Sequence, residues 1–259
     1  MSPGLADIIE SAKLPRLILY MAWSDIRARY KRSVLGPLWI TISTAIGVVG
    51  MGFIWSELFK MKRDEFIPML TVGLIMWQFM SACITEATVV FSRQAGIIRN
   101  LNLPISIHPA QLVLRHVINL AHNIPLFFLV VLILGRKLDL HLLMFVPGLL
   151  LVIANLYWMS MMLGILGARF RDLEYLVTMV MPLLMFVSPV MYSADSLPKI
   201  GKYMWLNPLG DMIEIVRYPL LAEATPHYVY VVNIGLLLIG ALLTLILFNA
   251  KRDRIAFWV

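Results

Sequence analysis

RARYKRSVLGPLW, residues 27–39, joins four basic side chains, Arg27, Arg29, Lys31 and Arg32, to Gly36, Pro37 and an apolar run that stays uncharged until Glu57. Proline is tolerated at a helix start because the N–H it lacks has no intrahelical acceptor there, so Pro37 predicts the opening of a helix. A helix from Val34 to Phe59 is roughly 39 Å long at 1.5 Å per residue, enough to cross a ~30 Å hydrocarbon core with some tilt. Basic side chains are retained on the cytoplasmic side of a first span, which puts the N-terminus inside.

Composition points the same way. Of 259 residues, 60% are hydrophobic and 14% charged, more apolar surface than one soluble core of this length hides. The expectation is an all-α, polytopic membrane protein. A net charge of +7 invites nucleic acid as a partner, but the basic residues are not gathered on a soluble domain, so nucleic acid is set aside. The single cysteine, Cys83, lies in an apolar run and excludes a disulfide within the chain. No cleavable signal peptide is expected, because a long polar segment precedes the first span.

Upstream, Leu14, Leu17, Ile18, Met21 and Ala22 recur at helical spacing while Lys13, Arg16, Tyr20 and Arg27 take another face. Residues 12–32 thus read as an amphipathic helix in the cytoplasmic interface, either a plain anchor or one that touches substrate. Downstream, apolar runs cover Phe66–Phe91, His108–Leu134, Leu142–Ala168, a short Leu176–Val190 broken by Pro182 and Pro189, and Tyr228–Phe248. Six spans bring the C-terminus back inside. The internal segments then collect 14 of 22 Lys and Arg with 6 acids, against 8 basic and 8 acidic residues outside.

Between the last two spans, residues 188–227 are half apolar and carry Pro189, Pro198, Pro208, Pro219 and Pro226. Pieces this short cannot cross a bilayer, so residues 192–222 read as an external re-entrant helical hairpin. The internal connections 93–107 and 168–176 carry either topology charge or short helices able to receive force from a cytoplasmic partner.

Four stretches in register with these spans carry a family resemblance. YKRSVLGPLW (30–39), IIRNLNLP (97–104), ARFRDLEYL (168–176), and SPVMYSADSLP (188–198) followed by NPLGDMIEIVR (207–217) resemble the permease subunits of type 2 ABC exporters for bacterial cell-surface polysaccharides. The lipopolysaccharide O-antigen branch is closest, with capsule and teichoic acid exporters nearby. The resemblance implies one transmembrane permease domain over residues 1–259, a homodimer in the bacterial inner membrane, and two copies of a separate cytoplasmic ABC ATPase. It also puts the contacts with that ATPase at Arg99, Asn102, Pro104, Arg169, Arg171 and Asp172.

The chain has no GxxxxGK phosphate loop, so ATP and Mg²⁺ are expected on the partner, with no cofactor on this subunit and no catalytic residues of its own. Five scattered histidines without a close pair at ligand spacing predict no metal site.

Intramembrane polar residues take two readings each. Glu86 serves either helix packing, with Arg93 seven positions on along the same face, or substrate. His116, Asn119 and Asn123, at i, i+3 and i+7, suggest interhelical hydrogen bonds, and Ser160, Gly164 and Ala168 close helix packing. Trp39 and Phe53 lie about 40° apart on a helical wheel. With Phe186 and Tyr192, on spans that the resemblance sets along the dimer pathway, they are either interface anchors or a track on which sugar faces slide. Trp23, Trp158, Trp205 and Trp258 read as anchors.

The expected cargo is a polysaccharide on a polyprenyl diphosphate, its anionic group recruited by Arg27, Arg29, Lys31 and Arg32 at headgroup depth. Two other classes make different demands on the sequence. A secondary transporter calls for mid-membrane ionisable residues and internal repeats, and an intramembrane lipid-sugar enzyme for clustered acids or a nucleophile with its base. Glu86 is the one acid found near mid-membrane and no repeat is found.

Overall fold

The computed structural model describes residues 2–58, 60–136, 139–193 and 201–259. Among these, eleven α-helices and two short 3-10 turns form the fold. The helices are α1 Pro3–Ala12, α2 Pro15–Tyr30, α3 Leu38–Leu58, α4 Arg63–Ala87, α5 Val90–Arg93, α6 Ala95–Asn100 and α7 Ile107–Ile133. Then follow α8 Phe145–Arg169, α9 Leu173–Val187, α10 Pro208–Leu220 and α11 His227–Trp258.

Five of these, α3, α4, α7, α8 with its leading 3-10 turn, and α11, are long and apolar enough to cross a membrane. The fifth apolar run forms the 15-residue α9, about 22 Å long and shorter than the spans. It begins three residues before the expected Leu176 and ends at Ser188, whose extended backbone (ψ 147°) is what a following proline, Pro189, imposes. Pro37 directly precedes α3, as expected. The run-in turns at Gly36 with φ +56°, a conformation glycine adopts without a Cβ clash.

The segment 12–32 is not one helix. Leu14 takes a non-helical conformation before Pro15, which opens α2 as its first residue, while Ala12 closes a separate helix, α1. The polar lead therefore holds structure of its own.

α4 is the central element. Within its most apolar window 78% of residues are buried, against 17% for α3, because α4 is flanked by α3, α7, α8, α9 and α10. Its core includes Phe66, Leu70, Met76, Met80 and Cys83, joined by Phe127 of α7 and Leu156 of α8. A second cluster sits where α5, α8 and α11 meet, around Phe91, Met161, Ile165 and Phe248. Ser160, Gly164 and Ala168 are buried there, in line with the small-residue spacing. A Cβ on Gly164 would stand 2.6 Å from Val90, so glycine allows α5 to rest on α8.

In the segment 192–222, residues 194–200 lie outside the described residues. The rest contains a 3-10 turn at Gly201–Leu206 and α10, started by Asn207, whose side chain accepts from Gly210 N at 3.2 Å. α10 is packed rather than solvated. Asp211, Glu214 and Arg217 are all buried, Arg217 donates to Glu214 and to the Pro189 carbonyl, and Asn233 of α11 donates to the Asp211 carbonyl at 3.1 Å.

Asp211 is 2% exposed and its Oδ2 has no hydrogen-bond partner. Burial, with Glu214 one turn on, pushes its carboxyl up to about 8. The folded protein therefore keeps a proton that the unfolded chain loses near pH 4, so stability falls as pH rises from about 4 to about 8, then levels. Asp211→Asn is predicted to remove this slope and to gain about 1–3 kcal/mol at pH 9. Thermal unfolding in detergent at pH 5 and pH 9 checks this, and an unchanged slope in the variant would refute it.

Candidate functional site

The basic cluster at the foot of α3 divides by helical geometry. Tyr20, Trp23, Arg27 and Lys31 recur three or four residues apart and so share one face of α2 and its exit. With Tyr30 and Pro37 they line an open groove of about 640 Å³. Both its cations and its rings are solvent-accessible, Tyr20 and Trp23 at 72% and 48%. Arg29, about 200° round the helix from Arg27, faces the bundle instead. Arg32 is exposed but does not line the groove.

On the bundle side Arg29 Nη2 donates to Glu86 Oε1 at 3.1 Å. The same carboxylate accepts from Arg93 Nη1 at 3.2 Å and from Arg115 Nη2, and His116 Nε2 stands 3.8 Å away. Arg115 also donates to Asp25 at 3.1 Å, beside Gln111 at 2.8 Å. One half-buried acid of α4 thus gathers α2, the end of α5 and α7. Of the two readings for Glu86, this contact set is the packing one, and Arg93 is its expected partner. Arg29, expected with the recruiting cations, is committed to this bridge. Asp25, Arg115 and Gln111 went unnoticed in the sequence, where no local spacing links residues 25, 86 and 115.

The connections 93–107 and 168–176 meet at one place, the end of α11. In the first, α5 and α6 lead through Leu101–Pro104 to α7, with Asn102 exposed and Pro104 buried. Arg99 donates to the Val259 carbonyl oxygen, beside the end of α11. In the second, Arg169 at the end of α8 lies over the Trp258 ring, 5.8 Å from its centroid, while Arg171 and Asp172 are exposed. Arg169, Phe170, Lys251, Arg254 and Trp258 bound a second groove, of about 490 Å³. Trp258, read as an anchor, is half-buried beside Arg169.

Beneath the first connection, Asp7 of α1 is fully buried. It accepts from Ile105 N (3.1 Å), Ser106 N (2.9 Å), Ser106 Oγ (2.6 Å) and Arg252 Nε (2.9 Å). This anchor too was missed. Its one sequence signal was Ser2–Pro3, a helix start ahead of the expected first helix.

The four pathway aromatics are dispersed. Trp39 and Phe53 on α3 are 54% and 48% exposed, and Phe186 on α9 is 64% exposed. Phe53 carries the Arg63 guanidinium 4.9 Å over its ring. Tyr192 instead donates its hydroxyl to the Val187 carbonyl at 2.8 Å, tying the exit of α9. α3 leans on α4 and α7, and α9 on α4 and α8. Among the described residues, no group of His, Cys, Asp and Glu is placed to hold a metal ion.

A family profile described as ABC-2 type transporter matches residues 16–221. An O-antigen export system permease protein RfbA from Klebsiella pneumoniae is 26% identical over 249 residues, 93% of each chain. A protein of the same name from Myxococcus xanthus is 20% identical over 200 residues, 77% of each. The profile spans α2 to the end of α10, and so includes the basic groove, the Glu86 bridge and both connections.

Proposed function

Because this multi-pass membrane chain belongs to the ABC-2 type transporter family, we propose that it is the transmembrane subunit of an ATP-driven exporter of O-antigen-like polysaccharide. The cargo travels on a polyprenyl diphosphate from the cytoplasmic to the periplasmic side of the inner membrane. The observation that carries this reading is the profile match over residues 16–221, with similarity to O-antigen export permeases along nearly the whole chain.

In this reading α9 is a sixth crossing, α2 is the interface helix, residues 192–222 cap the outer face, and both termini are cytoplasmic. The retention of 14 of 22 basic residues on one side favours that orientation. The subunit works as a homodimer with two copies of an ABC ATPase, which bring ATP and Mg²⁺. The sparse covering of α3 supports a second copy along it, as do the exposed Trp39, Phe53 and Phe186. The ATPases press on Asn102, Arg171 and Asp172, which are exposed on the two connections, while Arg99 and Arg169 pass the load to the end of α11.

Diphosphate capture falls to Arg27 and Lys31 in the α2 groove, with Arg32 nearby. Arginine gives bidentate hydrogen bonds to phosphate oxygens, and each cation near an anionic surface contributes about 1 kcal/mol. Tyr20 and Trp23 offer flat apolar faces to the adjoining sugar or isoprenoid.

The test is reconstitution with the ATPase subunit in proteoliposomes loaded with lipid-linked glycan. Export is predicted to require ATP and to persist without a proton gradient. Replacing both Arg27 and Lys31 by alanine should lower export about thirtyfold, the sum of two ~1 kcal/mol losses, with topology verified by labelling. ATP-independent export would refute the transporter reading. Unchanged export in correctly inserted double variants would refute the capture assignment.

A further inference from the structure

A second pocket, of about 330 Å³, lies between α3, α4 and α7 and takes no part in the groove or the connections. Its polar walls are two facing ladders. α4 offers Gln78, Ser81 and Thr85, spaced i, i+3, i+7, and α7 offers His116, Asn119 and Asn123 with the same spacing. Such residues stack along one helix face. The helices run antiparallel, so Gln78 meets Asn123 at 3.3 Å at one end, while Glu86 meets His116 at the other. Arg29 stands at the charged end, and the half-buried Ser81, Ala82 and Thr85 form the rim.

The ladders are under-paired. The sequence suggests that the α7 stripe binds neighbouring helices, yet Asn119 Oδ1 and Asn123 Oδ1 are buried with no hydrogen-bond partner. Asn119 is 8% exposed and Asn123 3%, and both side chains line the pocket. Buried amide oxygens without donors are costly, so this wall is built for an occupant that donates hydrogen bonds.

Charge narrows the occupant. A cation would meet Arg29 and Arg115 beside Glu86, and an anion would meet the Glu86 carboxylate with those arginines already engaged. A neutral group rich in hydroxyls both donates to the amide oxygens and accepts from Thr85. The volume is at the lower end for small-molecule sites, enough for a single sugar ring. Ile40 and Leu120 supply apolar surface for its C–H faces.

We propose that the pocket between the Gln78–Ser81–Thr85 and His116–Asn119–Asn123 ladders binds one neutral sugar unit of the exported glycan within each protomer. This rests on the polysaccharide reading above, and it adds a sugar-reading site away from the surfaces of α3 and α9 that carry the exposed aromatics.

The test uses the permease–ATPase complex in nanodiscs, titrated with D-mannose, D-galactose and N-acetyl-D-glucosamine and followed by saturation-transfer NMR, with inorganic pyrophosphate as a separate arm. At least one sugar should saturate in the millimolar range. Asn119→Leu, which removes an acceptor, should weaken it at least about tenfold, one hydrogen bond's worth in a buried site. Ala82→Phe, which narrows the rim and spares every polar group, should abolish it. If none of the three sugars saturates, or if both pocket variants bind like the parent, the pocket holds only water and the proposal falls. Pyrophosphate binding weakened by Arg27→Ala would keep the capture reading in place even then, so the two failures are distinguishable.

Discussion

Glu86→Ala is expected to destabilise the purified protein by about 3–5 kcal/mol, because it strands three guanidinium groups around a partly buried site. The side chain is 17% exposed and Arg115, its most buried arginine, 12%. Arg93 and Arg29, at 54% and 45%, retain access to solvent. Arg93→Ala should accordingly cost under about 1 kcal/mol, the ordinary worth of an exposed ion pair. Arg115→Ala, which also leaves Asp25 short of a partner, should approach the Glu86 value. Thermal unfolding of the variants in one detergent gives the ranking. Equal losses for Arg93→Ala and Glu86→Ala would mean that the carboxylate is not the hub.

The second large effect is expected at Asp7. Its carboxylate is fully buried and takes donors from Ile105, Ser106 and Arg252, so Asp7→Ala leaves two backbone N–H groups and a guanidinium unserved. A loss of about 3–5 kcal/mol is predicted. Asp7→Asn keeps an acceptor of the same shape while giving up the ion pair, and should leave the protein folded with a looser Leu101–Ser106 segment. Amide exchange at Ile105 and Ser106 should then quicken about tenfold or more, the sign of local opening. If the proposed coupling is right, the same variant also hydrolyses ATP with less export per turnover. Unaltered exchange at both amides would remove Asp7 from that role.

The crossings were legible because each is a local property. Runs such as His108–Leu134 differ by a residue from α7, Ile107–Ile133, since lipid demands continuous apolar helix whatever the neighbours are. Pairs close along the chain were legible for the same reason, as with Glu86 and Arg93, although the chain breaks between α4 and α5 and puts them on consecutive helices. The division of the basic cluster was not. Charge alone made Arg27 and Arg29 equivalent, whereas their opposite facing on α2 gives one to solvent and the other to an acid 57 residues away. α1 escaped notice because a ten-residue helix is too short to carry a membrane signal. It is held in place by packing and by Asp7, whose partners lie about a hundred and 245 residues along the chain. The α7 stripe was seen, but its matching ladder on α4 appears only once the two helices are side by side.

α11 joins things that are far apart in space. Its 32 residues make a rod roughly 48 Å long. At one end Trp258 and Val259 are held by Arg169 and Arg99 from the two connections. Near the other, Asn233 accepts on its carbonyl from Asn155 of α8 and donates to the backbone of α10. Between them Gly240 lies so close to Trp158 that a Cβ would stand 2.3 Å from the indole, leaving no slack for α11 to tilt past α8. A push at one end is therefore felt at the other as translation or twist of a single stiff shaft. If the proposed coupling is right, a stroke delivered at the Trp258 end would reach the far lip of the protein without a relay of separate side chains, and inputs from the two connections, gripping the same shaft, would act as one.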